Sequence, residues 1–250
     1  MSKIVKHIFL DTQDKRAGTT NYTPEWSLDT GKSLHGHYSI GLKSCIIPNL
    51  VYPVNDTNNT VIFSEGGAGD ITSTLTNQSY TGTQLATELQ SVLNADGGLA
   101  YTVSYDNQTG KLTFTVSSST VQFKTSDTAM TSSYILGFDT TTDTADSATV
   151  VSTYVIRLDG SRYLDIEMNT STHSISSKNS SSPFVRVPLT AGFGSIVVYE
   201  NDSVSDNLMV MDASQMNNLR LRIRDDTGND FVLPANAYCS FTLNLYSSAS

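Results

Sequence analysis

Cysteine is scarce in this chain: Cys45 and Cys239 are the only two among 250 residues. Each stands alone inside an apolar, strand-like run. Both are therefore expected as buried thiols, with a disulfide between them as the alternative, and neither forms part of a CxxC metal or redox pair. Positive charge is also scarce. Fifteen Lys and Arg face 24 Asp and Glu, giving a formal net charge of −9. That balance argues against wrapping nucleic acid through the general surface. Long apolar runs are missing: no stretch approaches the roughly 18 residues of a membrane helix. The opening MSKIVKHIFLDTQ carries only broken apolar runs, so no secretory signal is read there and synthesis in a reducing interior is expected.

Motifs of catalysis are missing too. There is no nucleophile elbow, no P-loop and no dinucleotide glycine motif. The histidines are His7, His35, His37 and His173. His35-x-His37 has strand spacing for two ligands on one face, but no third ligand sits at matching spacing, so neither a metal nor a cofactor is expected. RDDTGND (224–230) groups acidic oxygens around Gly228. It reads as a hairpin turn in preference to a calcium loop. Scattered carboxylates lend no specific support to glycoside hydrolysis. The chain is expected not to be an enzyme.

What is abundant is Ser, Thr and Asn: 66 of the first two together and 17 of the third. Such side chains compete for backbone partners and favour strands and turns over helices. With 38% apolar and 9% aromatic residues, a packed core is affordable without staples. Eight Asn-x-Ser/Thr sequons, among them Asn21, Asn77, Asn107 and Asn201, are expected from composition alone.

Charge divides the chain. Residues 55–150 contain ten acids but only Lys111 and Lys124, a balance of −8, while the rest carries −1. Polar, turn-rich NDTNN (55–59) and DTTTDTADSAT (139–149) flank this segment. The organisation expected is a body from 1–54 and 146–250 with an inserted acidic module at 55–145. Within the module, TVIFSE (60–65) reads as a strand. TGTQLATELQSVLNADGG (81–98) reads as a helix, with Leu85, Leu89, Val92 and Leu93 on one face, capping-box spacing at Thr81 and Gln84, and a Gly97-Gly98 stop. YTVSY and KLTFTV flank a DNQTG hairpin signal, and VQFKT (121–125) and SYILGFD (133–139) close the module, which is expected as a small sheet with one helix laid across it.

The body reads as period-2 strands at 3–11, 37–48, 149–159, 161–169, 183–189, 194–201, 219–225 and 236–246. Eight such strands without a body helix predict an all-β antiparallel sandwich of jelly-roll type carrying a small α+β insert with one helix. LRLRIR sets Leu219, Leu221 and Ile223 on one face and Arg220, Arg222 and Arg224 on the other. Stacked guanidiniums repel unless carboxylates answer them. The answer expected is either local acids such as Glu200 and Asp202, or a neighbouring subunit. Lys15 and Arg16, in a mildly basic N-terminal segment, join the three arginines as candidate subunit-interface residues. That segment is either an arm reaching into an assembly or a first strand.

HIFLDTQDKRAGTTNYT (7–23) and YSIGLKSCIIPNLVYPVN (38–55) resemble the start of penton and minor capsid proteins of DNA viruses with double-jelly-roll major capsid proteins, such as virophages and polinton-like viruses. SYTGTQLATELQSVLNA, YTVSYDNQTGKLTFTVS and ILGFD are similar to the module inserted in those proteins, and LRIRDDTGNDFVLPANAYCSFTLNLY resembles their final strand pair. The resemblance implies a single jelly roll, a homopentamer at icosahedral fivefold vertices, the major capsid protein as partner and a place in the virion capsid, made inside the host cell. Minor capsid proteins or a host surface receptor are further partners it implies; no direct nucleic-acid contact and no membrane span are expected. The insert is expected to project outward. Alternatives are a minor, cementing capsid protein, or a receptor- or glycan-binding spike module in which Tyr80, Tyr101, Tyr105 and Tyr134 stack on sugars.

Overall fold

The computed structural model describes residues 4–28, 37–168, 183–202, 208–212 and 218–247. The chain divides into two compact units, residues 1–51 with 161–250 and residues 52–160. Each has its own hydrophobic core.

Unit 1 is a sandwich of two antiparallel sheets. One runs β1 (Ile4–Asp11), β15 (Ser240–Ser247), β3 (His37–Pro48) and β12 (Ile196–Glu200), with β13 (Met209–Asp212) also on β3. The other runs β11 (Val185–Pro188), β10 (Tyr163–Met168), β14 (Leu219–Arg224) and β2 (Glu25–Trp26). Alternate residues from both sheets meet in one core, among them Ile40, Leu42, Phe241 and Leu243 from the first and Leu164, Ile166, Leu221 and Ile223 from the second. This is the all-β jelly-roll-like sandwich that the period-2 patterns predict. Strand β3 is buried at Ile40 and Leu42 and again at Cys45 and Ile47. The switch of parity needs an extra residue. It falls where register on β15 jumps from Thr242–Ser44 to Leu243–Leu42, a bulge that keeps both halves of β3 facing the core. Cys45 and Cys239 are free and buried, and burial pushes both thiols up to about 12.

Side chains from the N-terminal stretch tie this unit together. Trp26 donates its indole N–H to the Asp11 carbonyl at 2.8 Å. Asn21 is buried and donates to the carbonyls of Pro234, Ala235 and Ala237 at 3.0, 3.1 and 2.7 Å. Its sequon is thus spent on structure. The basic N-terminal segment is a first strand, not a free arm.

Unit 2 holds β4 (Thr60–Glu65), β5 (Ile71–Thr74), α1 (Gly82–Asp96), β6 (Tyr101–Asp106), β7 (Lys111–Val116), β8 (Val121–Phe123) and β9 (Thr149–Val151). Its two three-stranded sheets have the orders β5-β4-β8 and β6-β7-β9. Helix α1 starts where the capping box predicts: the Thr81 hydroxyl accepts from Gln84 N–H, and the Gln84 carboxamide accepts from Thr81 N–H at 2.9 Å. Its Leu85, Leu89 and Leu93 are buried against a cluster of Phe63, Phe114, Phe123 and Phe138, with the Phe114 and Phe123 ring centres 4.6 Å apart.

Two expectations fail here. The stretch 149–159 is not a body strand. Only Thr149–Val151 is a strand, and it pairs with β7 inside unit 2; the Ile156 N–H then donates to the Gly110 carbonyl. Unit 2 therefore takes in residues 146–160, which the reading of 149–159 as a body strand assigns to the body. The one small sheet expected of the module is two three-stranded sheets, and SYILGFD joins neither. It is a turn, reversed at Gly137 (φ +73°), whose carbonyl accepts the Tyr154 N–H at 2.7 Å. Its apolar residues Ile135, Leu136 and Phe138 fill the core without forming a pleat.

Candidate functional site

Three surface features of the two units are candidates for function. The first is the outer face of the β11-β10-β14-β2 sheet, where the arginine ladder lies. Its cations are answered within the chain. Arg222 Nε donates to Asp230 Oδ1 at 2.6 Å. Arg224 donates to the Gly228 carbonyl at 2.7 Å and lies 3.0 Å from Glu167 Oε1 as an ion pair without hydrogen-bond alignment. Arg220 stands opposite Glu25 in register, and Glu25 Oε1 takes Arg16 Nη1 at 3.1 Å. On the adjoining strand Arg186 Nε and Nη2 grip Asp165 at 2.8 and 2.9 Å, and its guanidinium lies 3.8 Å from the centre of the Tyr163 ring. These bonds raise Arg186 and Arg222 above the usual arginine range.

The local acids expected for this ladder, Glu200 and Asp202, are not the ones that answer it. Glu200 lies on β12 in the other sheet, and Asp202 pairs with Lys43 at 3.3 Å. Glu167, Asp230 and the Gly228 carbonyl take that role, because β10 is the register neighbour of β14 and the 224–230 hairpin folds Asp230 back beside Arg222. Lys15 donates to the Thr12 carbonyl at 3.2 Å. In the hairpin, Asp225 Oδ1 accepts from Thr227 N–H, the Thr227 hydroxyl and Asn229 N–H, so its oxygen builds the turn. Among the described residues no cluster of His, Cys, Asp and Glu could hold a metal. His35 and His173 lie outside the described residues, as does the side chain of His37. His7 hydrogen-bonds through Nδ1 to Asn244 at 2.8 Å.

The second feature is apolar. Among the described residues β12 ends its sheet, and its outward residues Ile196 and Val198 are each 62% exposed. Ile46, directly opposite Val198 on β3, is 45% exposed. An edge strand with β-branched residues on its open face is a surface that natural proteins usually cover. Sequence reading missed it, since Ile196 and Val198 look like any strand residues until the sheet order is known.

The third is an open groove of about 880 Å³ within unit 2, between the start of α1, the β6–β7 hairpin and the 153–159 segment. Tyr105 and Tyr154 contribute its aromatic surface, and Lys111, Arg157 and Asp159 its charge. Of the tyrosines considered for sugar stacking, Tyr80 and Tyr101 are buried, Tyr105 is half-buried, and Tyr134 is exposed beneath Arg157, whose guanidinium is 4.6 Å from the ring centre. Burial, and behind it the Glu65 carboxylate, pushes the Tyr101 phenol up. Tyr154 was not among those considered, because its segment read as a body strand.

No protein-family model and no curated protein matches the sequence. Among solved structures, the chain is similar to the mavirus penton protein: TM-score 0.53 and 10% identity over 97% of this chain and 100% of that one. A match to D2–D3 of the flagellar cap protein FliD from Escherichia coli has TM-score 0.20 at 14% identity over 88% of this chain and 100% of that one. The fold is thus a penton-like one.

Proposed function

We propose that the chain is a non-enzymatic structural protein of a viral capsid, and within that class the penton: a homopentamer at the fivefold vertices, in contact with the major capsid protein. One observation carries this reading. The likeness to the mavirus penton protein covers 97% of this chain and the whole of the other, so it takes in the insert as well as the sandwich.

The apolar edge is the surface that we assign to the neighbouring subunit. A head-to-tail ring closes on itself and covers the strand at each contact, and Ile46, Ile196 and Val198 supply the uncovered apolar area such a contact needs. The arginine face, with Arg220, Arg222, Arg224, Lys15 and Arg16, is the rival surface. Its supporting argument is weaker, since Asp230 and Glu167 answer Arg222 and Arg224, and Glu25 answers Arg16, from within the chain. Unit 2, with its strongly acidic balance, is the part that we assign to water on the outside of the particle.

Light scattering and native mass spectrometry of the purified chain test the reading, together with antibody labelling of intact particles. Five copies per assembly, and a label at the vertices, are expected. A monomer that persists at high concentration and is missing from particles overturns it.

A further inference from the structure

We propose that the groove of unit 2 binds an acidic saccharide, a pyranose bearing a carboxylate. The inference stands on unit 2 alone and does not depend on the capsid role.

Charge placement is the first argument. Residues 52–160 contain eleven carboxylates and only three cations, Lys111, Lys124 and Arg157. Lys124 is spent on Asp70, at 3.7 Å, and on Gln122. The other two both line the groove. Lys111 Nζ gives one hydrogen bond, to the Thr153 carbonyl at 2.8 Å, and keeps two donors. Arg157 reaches Asp159 at 3.3 Å through Nη2, while its guanidinium is braced over the Tyr134 ring, and most of its five donors stay available. An acidic unit that places two of its three cations in one concavity offers an anion a favourable place there. A polyanion as long as a nucleic acid would meet the surrounding carboxylates and be repelled.

Surface chemistry is the second. Tyr154 and Val155, 58% and 56% exposed, and the half-buried Tyr105 present flat apolar surface to the C–H face of a sugar ring. Asp159 is placed to accept from ring hydroxyls beside the guanidinium that donates to them. The volume lies within the range of about 300–1,000 Å³ usual for small-ligand sites.

Rigidity is the third. A Cβ on Gly82 would lie 2.3 Å from the Tyr105 ring, and one on Gly110 would lie 2.7 Å from Val155. The ring and the branched side chain thus rest directly on glycine backbone, which fixes both walls before any ligand arrives and lowers the ordering cost of binding.

The test is a titration of the full chain, followed by heteronuclear NMR and calorimetry, with 3′-sialyllactose, a hyaluronan tetrasaccharide and lactose as probes. The first two separate a sialic acid from a uronic acid as the source of the carboxylate; lactose lacks one. Expected is binding of at least one acidic probe with millimolar or tighter Kd, at least about tenfold stronger than lactose. Arg157→Gln and Tyr154→Ala should each weaken it about tenfold or more at unchanged melting temperature, and Arg157→Lys should restore part of the loss. Phe9→Ser, in the other unit, should leave it unchanged. Absence of binding by both acidic probes up to about 10 mM overturns the proposal, as does lactose binding equally well. It is equally overturned if Arg157→Gln leaves affinity intact. Should Arg157→Gln lower the melting temperature, Tyr154→Ala decides, since that ring is mostly in solvent.

Discussion

Asp165 of β10, 5% exposed, is held by both Nε and Nη2 of Arg186 from the register-opposed position on β11. The carboxylate is buried and the guanidinium only partly so. Removing the arginine leaves a buried charge without its main partner, which is costlier than losing a surface pair. Arg186→Ala is expected to lower unfolding free energy by about 2 kcal/mol, and Arg186→Lys to recover less than half, since an ammonium cannot make the bidentate fork. Urea unfolding followed by tryptophan fluorescence checks this; Trp26 reports from the same core. Equal stability of Arg186→Lys and wild type would show that the fork geometry contributes nothing.

The arginine ladder leads to an expectation about assembly. Changing Arg220, Arg222 and Arg224 together to Gln should lower the melting temperature of the chain, because Arg222 and Arg224 have intrachain partners at 2.6 to 3.0 Å. Ile196→Lys with Val198→Glu should abolish assembly while leaving the melting temperature close to wild type, both side chains being exposed. Light scattering and calorimetry on the two variants separate the surfaces. If the arginine triple loses assembly and keeps its stability, the interface belongs to the charged face.

The thiols make a statement about pH. Burial raises Cys45 and Cys239 from an ordinary 9.0 to about 12. Both are protonated in the fold, and the unfolded chain releases their protons first. Their contribution to stability is complete below about pH 9 and is lost as pH rises towards 12. The native protein should therefore resist a thiol-specific disulfide reagent at pH 8 and take up two equivalents once unfolded. Fast labelling of either thiol in the native state would contradict this burial.

Glu65 is the keystone of unit 2. Its carboxylate accepts from Gly98 N–H at 2.9 Å, Leu99 N–H at 3.2 Å and the Tyr101 hydroxyl at 2.8 Å, joining the end of β4 to the chain leaving α1. Glu65→Ala should cost about 1.5–3 kcal/mol. Amide hydrogen exchange should show the loss in α1 and β6, with unit 1 protected as before. A uniform loss of protection over both units would show that they unfold together.

Much of the fold was legible because its signals are local and repeated. β3, β4 and β7 begin and end where the sequence reads as strands, and α1 follows from its apolar stripe and its capping box. β2, β5 and β13 escaped notice because two to four residues cannot display a period; their pairing partners define them. The stretch 149–159 misled because β-branched and aromatic residues favour a strand in any setting. The Ser152 hydroxyl ends it by donating to the Tyr154 carbonyl and accepting from Leu112 N–H. That error hid the groove, whose Tyr154, Arg157 and Asp159 all lie in this segment. The arginines of β14 were visible, but their carboxylates come from β10 and from the far side of a hairpin, so only register identifies them.

Separate cores let each unit absorb substitutions on its own. A substitution that enlarges or recharges the rim around Tyr154 need not disturb the packing of Ile40 and Phe241, and the converse holds for the sandwich. Changes on the surface of residues 52–160 are thus decoupled from the packing of the sandwich.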